Sequence, residues 1–344
     1  MFRLPPLRLV FSLSALAIAA CGENQSPTQP EAGAEAGPGA PLAALTSNTW
    51  TSKAAFPAVF GAVGLSAGSV PNASGQSIVY TFGGTDDMGG SCVSIGAYNV
   101  ATNTWTGLGS EPKVCGAEMN GVGRIGNTLY FSGGRVHGGD GVEILRTAWA
   151  FDAGSKSLTR KADMPRGTAR GVTGTIDGKV YVLPGICSTD FWPVAGYCQF
   201  EPFRRLFRYN PATNLWAAKQ PAPHFHINGA GGVINGKFYV AGGDNVTALD
   251  VYNPATDTWK TLAPLPTGGR AVGAVLQGKL FVIVGLHAYA YNPATNTWSA
   301  KASPKWDHPA VVHVTFNGLP ALLAVGGIHW APDATPNPSE LYTP

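Results

Sequence analysis

The sequence predicts an all-β protein, a closed six-bladed β-propeller of four-stranded antiparallel blades, on three observations. Two short phrases recur along most of the chain. Its 45 glycines and 27 prolines stand at fixed offsets from Tyr, Trp and Val, and the two chain ends hold complementary parts of one repeat. Repetition outranks any local reading, because a repeat that cannot bury its own apolar face must stack on its neighbours.

The first phrase is a hairpin: Tyr98-Asn-Val-Ala-Thr-Asn-Thr-Trp105, Tyr209-Asn-Pro-Ala-Thr-Asn-Leu-Trp216, Tyr252-Asn-Pro-Ala-Thr-Asp-Thr-Trp259 and Tyr291-Asn-Pro-Ala-Thr-Asn-Thr-Trp298, with a worn copy at Phe151-Asp-Ala-Gly-Ser-Lys-Ser-Leu158. Pro presets φ, and Asn and Thr bond their own backbone, as a tight turn needs. Tyr and Trp flank it with large apolar area and one polar atom each, suited to wedging between sheets. The second phrase precedes the first: Val79-Tyr-Thr-Phe-Gly-Gly84, Leu129-Tyr-Phe-Ser-Gly-Gly134, Val180-Tyr-Val-Leu-Pro-Gly185, Phe238-Tyr-Val-Ala-Gly-Gly243, Leu280-Phe-Val-Ile-Val-Gly285 and Leu322-Leu-Ala-Val-Gly-Gly327. These β-branched and aromatic runs fit strands buried on both faces. Upstream of them lie further extended stretches closed by Asp177-Gly178, Asn235-Gly236 or Gln277-Gly278, of which Asp-Gly and Asn-Gly are strong hairpin signals. Each unit therefore holds four strands.

The double glycine followed by Tyr and then Trp resembles the Kelch family of β-propellers, over nearly everything from Asn48 onward. Val100 for Pro, the worn 151–158 hairpin, and Pro184 and Val284 in place of a first glycine depart from that pattern. Six glycine-terminated strands occur but only five are followed by a Tyr…Trp hairpin. The sixth is followed by Leu341-Tyr342-Thr343-Pro344, where the sequence stops, and Ser47-Asn48-Thr49-Trp50-Thr51 supplies the counterpart. An N-terminal strand completing the last blade would close the ring and leave no open sheet edge.

The segments before the propeller read differently. Arg3 and Arg8 precede an apolar run ending in Ile18-Ala19-Ala20-Cys21, too short to span a bilayer. Residues 1–20 read as a signal peptide resembling those of bacterial lipoproteins, and that resemblance implies lipidation of Cys21. Residues 21–46 hold the lipidated Cys and a flexible linker of Pro, Ala, Gly and acidic residues without aromatics. The propeller itself is assigned to 47–344. This implies an exported protein, lipid-anchored to the cell envelope at the outer membrane, monomeric, and touching the membrane through its anchor alone. With 12% charged residues and a net charge of +3, nothing suggests a nucleic-acid partner. In an oxidising compartment the four remaining cysteines are expected to form disulfides Cys187–Cys198 and Cys92–Cys115. Their spacing is not that of a zinc site.

In this strand order the Asx-Gly and Asn-Pro-Ala-Thr turns share one face. The connections after Gly-Gly and those between blades share the other, around the central channel. The second set varies and carries six of the seven histidines, so it is the expected binding face. Arg170 and Arg270 precede inner strands and could hold an anion by paired bonds. Glu118, His226 and His308 fall on the same connections. Trp192, Trp306 and Trp330 lie outside the repeat and could stack on sugars or a peptide. His224-x-His226 could be half of a metal site, or two polar residues bonded to backbone. No CxxC, HExxH or carboxylate-rich loop supports a metal, so neither metal nor cofactor is expected.

The function expected is a non-catalytic binding propeller recognising a glycan or protein through the varied face, since no complete acid–base or nucleophile set can be assembled. The alternative is an exported carbohydrate-active enzyme similar to sialic acid mutarotase, using Glu118 and the channel arginines. A galactose-oxidase-like copper centre needs a Tyr joined to an unpaired Cys, and the expected bridges leave none.

Overall fold

The computed structural model describes residues 47–57, 64–85, 92–108, 113–138, 141–187, 201–202, 204–327 and 339–344. The expected signal peptide, Cys21 and the linker, together with Trp192, Cys198 and Trp330, lie outside the described residues. The described residues contain strands and no helix.

Six four-stranded antiparallel sheets make up the body. Blade I is Ser66–Pro71, Ser77–Phe82, Gly96–Asn99 and Thr104–Gly107. Blade II is Val122–Ile125, Thr128–Ser132, Ala148–Asp152 and Ser157–Lys161. Blade III is Val172–Ile176, Lys179–Leu183, Arg205–Asn210 and Leu215–Pro221. Blade IV is Ala230–Ile234, Lys237–Ala241, Leu249–Asn253 and Thr258–Leu262. Blade V is Ala271–Leu276, Lys279–Val284, His287–Asn292 and Thr297–Lys301. Blade VI joins Ala310–Phe316, Leu319–Val325 and Ser339–Thr343 to Thr49–Lys53 from the other end of the body. Thr49 faces Thr343, and Lys53 faces Ser339, across that last ladder. Each innermost strand neighbours the innermost strands of the blades on both sides, so the ring is complete.

The repeat phrases perform the tasks their chemistry suggests. Asp177-Gly178, Asn235-Gly236, Gln277-Gly278 and Asn317-Gly318 all have positive φ at both positions, the mirror-image turn that matches strand twist. At the double glycines the backbone of the next blade's inbound segment passes too close for a side chain. A Cβ on Gly133, for example, would run into the Thr168 carbonyl. The core lies between blades: Phe281 of blade V, Tyr342 of blade VI and Trp50 stack with ring centroids 4.7–6.4 Å apart.

The Tyr…Trp hairpin also locks blade to blade. In blade V, Asn296 sits in the left-handed region, where its Oδ1 accepts from Tyr291 Oη at 2.8 Å and from the Ala263 amide of blade IV at 3.0 Å. Trp298 Nε1 donates to the Ala263 carbonyl at 2.9 Å. The amide and carbonyl of one residue are thus both held by a single hairpin. The same three-bond staple recurs with Asn103 and Trp105 on Ala54, Asn214 and Trp216 on Ala162, Asp257 and Trp259 on Gln220, and Asn48 and Trp50 on Ala302. The worn hairpin departs from it. Phe151, Lys156 and Leu158 replace Tyr, Asn and Trp, and the Lys156 ammonium bonds the Tyr80 hydroxyl and the Ala153 carbonyl instead.

Three small sheets rise from the varied face at blades I to III: Cys92–Ser94 with Lys113–Cys115, Arg135–Gly138 with Gly141–Ile144, and Thr168–Ala169 with Ile186–Cys187 and Glu201–Pro202. The first sets Cys92 opposite Cys115 in register. Cys187 pairs with Thr168 and Glu201, while its expected partner Cys198 is not among the described residues.

Deleting residues 47–56 removes both the blade VI edge strand and its staple. At roughly 1 kcal/mol per net hydrogen bond and about 2–4 °C per kcal/mol, the melting temperature should fall by about 5 °C or more in differential scanning calorimetry. An unchanged melting temperature would contradict the staple's role. Asn296→Ala should likewise destabilise by about 1–3 kcal/mol in urea titration, and Lys156→Ala by less.

Candidate functional site

The six innermost strands enclose a cavity of about 990 Å³, walled by Gly, Ala, Val and Thr along its length, with charged residues at the varied-face mouth. Backbone geometry builds that mouth. Glu118, Arg170, Asn228 and His308 all have φ between 53° and 57°, and the corresponding residue of blade I is Gly64 at 68°. From blade II to blade V the inbound turns let an amide reach back to the preceding blade. Glu118 donates to the Gly64 carbonyl at 2.6 Å, Arg170 to Glu118 at 2.8 Å, Asn228 to Arg170 at 2.8 Å and Ala271 to Asn228 at 2.8 Å. This run of backbone bonds ties blades I to V at the inner radius and presents the attached side chains at the mouth.

Three guanidiniums gather on one carboxylate there. Arg170 Nε lies 2.6 Å from Glu118 Oε2 and Arg135 Nε 2.5 Å from the same oxygen, while Arg270 Nη2 is 3.7 Å from Oε1. Blades II and V stand opposite one another in a six-membered ring, so the Arg270–Glu118 pair spans the mouth. Arg270 Nη2 also donates to Asn228 Oδ1 at 3.3 Å, and Asn228 Nδ2 contacts both Asp244 oxygens at 3.0–3.1 Å. On the blade VI side, His308 Nδ1 lies 2.8 Å from Asp307 Oδ1. Burial, opposed by Asp307 and Asp244 and reinforced by Arg270, holds the His308 imidazole below its ordinary range. The group can bind and orient a charged ligand of modest size, and its arginines favour an anion.

Of the expected site residues, Glu118, Arg170, Arg270 and His308 therefore meet at one mouth. His226 does not. It is 1% exposed and sits in blade IV with Nδ1 2.7 Å from the Gly242 carbonyl and Nε2 3.2 Å from Asp250 Oδ2. Both partners are acceptors, so this histidine is committed to holding the blade together and cannot meet a ligand. His224 joins it: its amide and Nδ1 contact Asp250 at 3.0–3.2 Å, and Thr261 donates to Asp250 at 2.8 Å. The alternating histidines point the same way, as their spacing implies, but at a buried carboxylate. No cluster able to hold a metal occurs among the described residues. Trp306 is half-buried and lies off the cavity wall.

Sequence reasoning puts Arg135, Asn228 and Asp307 on the varied face without choosing them as ligand-binding residues, and it misses Asp244 and Asp250. The signal for Asn228 was its place two residues before an inner strand, which it shares with Arg170 and His308. Arg135 directly follows a double glycine. Asp250 is a lone acid in an otherwise apolar strand, and Glu340 holds the equivalent place in blade VI, accepting from the Lys305 amide at 2.9 Å.

A ring of six four-stranded blades, stapled through Tyr, Asn and Trp, defines a Kelch-type propeller, and comparison with known proteins agrees. The Kelch motif matches residues 228–266. Mouse Kelch-like protein 35 is 26% identical over 196 residues, covering 55% of this chain and 31% of its own length. Human Kelch repeat and BTB domain-containing protein 12 is 26% identical over 200 residues, covering 51% and 31%. The chain thus spans about a third of the length of these relatives. The solved structure of YjhT superposes with a TM-score of 0.64 at 15% identity, covering 84% of this chain and 95% of that one, a likeness of fold alone. The chain is a Kelch-type β-propeller.

Asp250 offers a test of the buried network. Burial opposes its ionisation, but hydrogen bonds from His226, Thr261 and His224 and the charge of His226 hold the carboxyl below its usual range. A depressed folded value stabilises the fold above the ordinary aspartate range, and that contribution is lost as pH falls through it. Asp250→Asn should therefore be less stable than the parent at neutral pH by about 1–3 kcal/mol, with the gap shrinking below about pH 4. Denaturant midpoints across that range measure it; a constant gap would refute the assignment.

Proposed function

We propose that the protein is a non-catalytic binding propeller, displayed on the bacterial cell envelope, that recognises an anionic group of a glycan or protein ligand at the cavity mouth on its varied face. The observation that carries this is the gathering of Arg135, Arg170 and Arg270 on the single carboxylate of Glu118 at the mouth of a 990 Å³ cavity. Glu118 occupies the place that a ligand's carboxylate or sulfate would take, and an incoming anion exchanges with it for the guanidiniums. The lipid anchor on Cys21 and the Cys92–Cys115 bridge belong to this reading. The register that sets those two cysteines opposite one another supports the bridge, and export would make it durable.

The mutarotase-like alternative rests on the same Glu118. Both of its oxygens are engaged by arginines, which suits a structural counter-ion better than a proton carrier.

Screening the protein on glycan and peptide arrays, then titrating hits against variants, tests the proposal. Arg170→Lys and Arg270→Lys keep charge but lose the planar fork. Each should weaken an anionic hit several-fold, about 1–2 kcal/mol per charge-assisted bond. Glu118→Gln should strengthen it by removing the internal competitor. Trp259→Phe should lower stability and leave affinity intact. Parental affinity in both arginine variants would overturn the proposal, and sugar anomerisation abolished by Glu118→Gln would establish the alternative.

A further inference from the structure

Resting on the anion-binding reading, we infer that the group seated at this mouth is zwitterionic: its carboxylate lies against Arg170 and Arg270, and its ammonium against Asp307, Asp244 and His308.

The mouth is divided by charge. Three arginines and one carboxylate meet about Glu118, a local surplus of positive charge. Asp244 comes from the connection after the double glycine within blade IV and Asp307 from the connection leading from blade V into blade VI, and both act on His308 together with Arg270. Asp244 is held by the neutral amide of Asn228. Asp307 Oδ1 lies 2.8 Å from His308 Nδ1, and the Asp307 side chain is 26% exposed, so the carboxylate is accessible as a whole although that oxygen faces inward. An ammonium would bring three donors to its accessible part.

His308 completes the negative side. Its burial keeps the imidazole uncharged at neutral pH. With Nδ1 turned to Asp307, Nε2 is left as an acceptor for a ligand N–H. His308 lines the cavity beside Arg270 and Asn228, and its side chain, like those of Asp307 and Arg270, is 24–38% exposed, open enough to meet a ligand. A purely anionic ligand would leave these acids facing it, and a purely cationic one would face the arginines. Opposite charges a short distance apart satisfy both sides.

The test titrates the full chain with ω-amino acids from glycine to 6-aminohexanoate, each matched to the carboxylate of the same length and to its N-acetyl derivative. At least one amino acid should bind ten-fold or more tightly than its matched carboxylate, and N-acetylation should abolish that gain. Asp307→Asn should shrink the ratio of amino-acid to carboxylate affinity towards one, and Asp244→Asn should do so less cleanly because Asp244 also holds Asn228 beside Arg270, with circular dichroism confirming the fold. Lowering pH below the ordinary imidazole range should shrink the gain in the parent, because His308 then carries a charge that repels the ammonium. Equal binding of every amino acid and its carboxylate would overturn this inference and leave the anion site standing. Binding of neither, or binding indifferent to Arg170→Lys and Arg270→Lys, would overturn both.

Discussion

The propeller depends on one directional contact, the staple in which an Asn or Asp side chain and a Trp indole grip the amide and carbonyl of a single residue on the preceding blade. Apolar burial drives the sheets together but sets no fixed angle between them. A ring of six closes only if every interface repeats nearly the same rotation. The staple supplies that at the outer radius, because the Tyr hydroxyl fixes the same Oδ1 that receives the neighbour's amide. The backbone bonds through Glu118, Arg170 and Asn228 supply it at the inner radius from blade I to blade V. Between blades II and V both tethers act at different radii, which fixes an angle where one would leave a hinge.

The interface between blades I and II shows what happens when the staple is worn. Lys156 cannot accept an amide, and Leu158 cannot donate to a carbonyl. Aromatic contact fills the gap: Phe82 stacks on Phe131 at 4.3 Å, and Phe151 packs on Tyr80 at 5.0 Å. The Lys156 ammonium lies 4.7 Å from the centre of the Tyr80 ring. The small sheet that sets Cys92 opposite Cys115 joins a connection within blade I to the segment leading into blade II. This seam therefore has a different chemistry from the other five, and the added structure on the varied face begins there.

The fold was legible because its rules are local and repeated. Type I′ turns, paired glycines and the Tyr…Trp hairpin each require particular residues at fixed offsets, and six copies average out the worn ones. The site was legible only in part. Position along the repeat placed Glu118, Arg170, Arg270 and His308 at one mouth, because topology alone brings the connections together. The same logic misplaced His226. Its depth depends on Asp250, 24 residues away on another strand, and no local pattern says that a buried acid waits there. Asp244 escaped notice, and Arg135 was placed on the varied face but not singled out, since what it touches, Glu118, is reached only through the fold.

The cost of the mouth argues that it is there to bind. A left-handed backbone costs a non-glycine residue roughly 1–2 kcal/mol, and glycine adopts the same conformation without that strain, as Gly64 does in blade I. Four positions instead carry Glu118, Arg170, Asn228 and His308. Their side chains are not needed for the inter-blade backbone bonds, which are made by amides and carbonyls. Asn tolerates the conformation well, so its presence alone says little. Glu, Arg and His gain less from it, and they are the residues that place charge and a titrating ring over the cavity. Strain of this kind persists where surrounding structure enforces it and where the side chain has work beyond stability. The polar face thus follows from the inner tether: the turn that links one blade to the next also aims its side chain at the mouth.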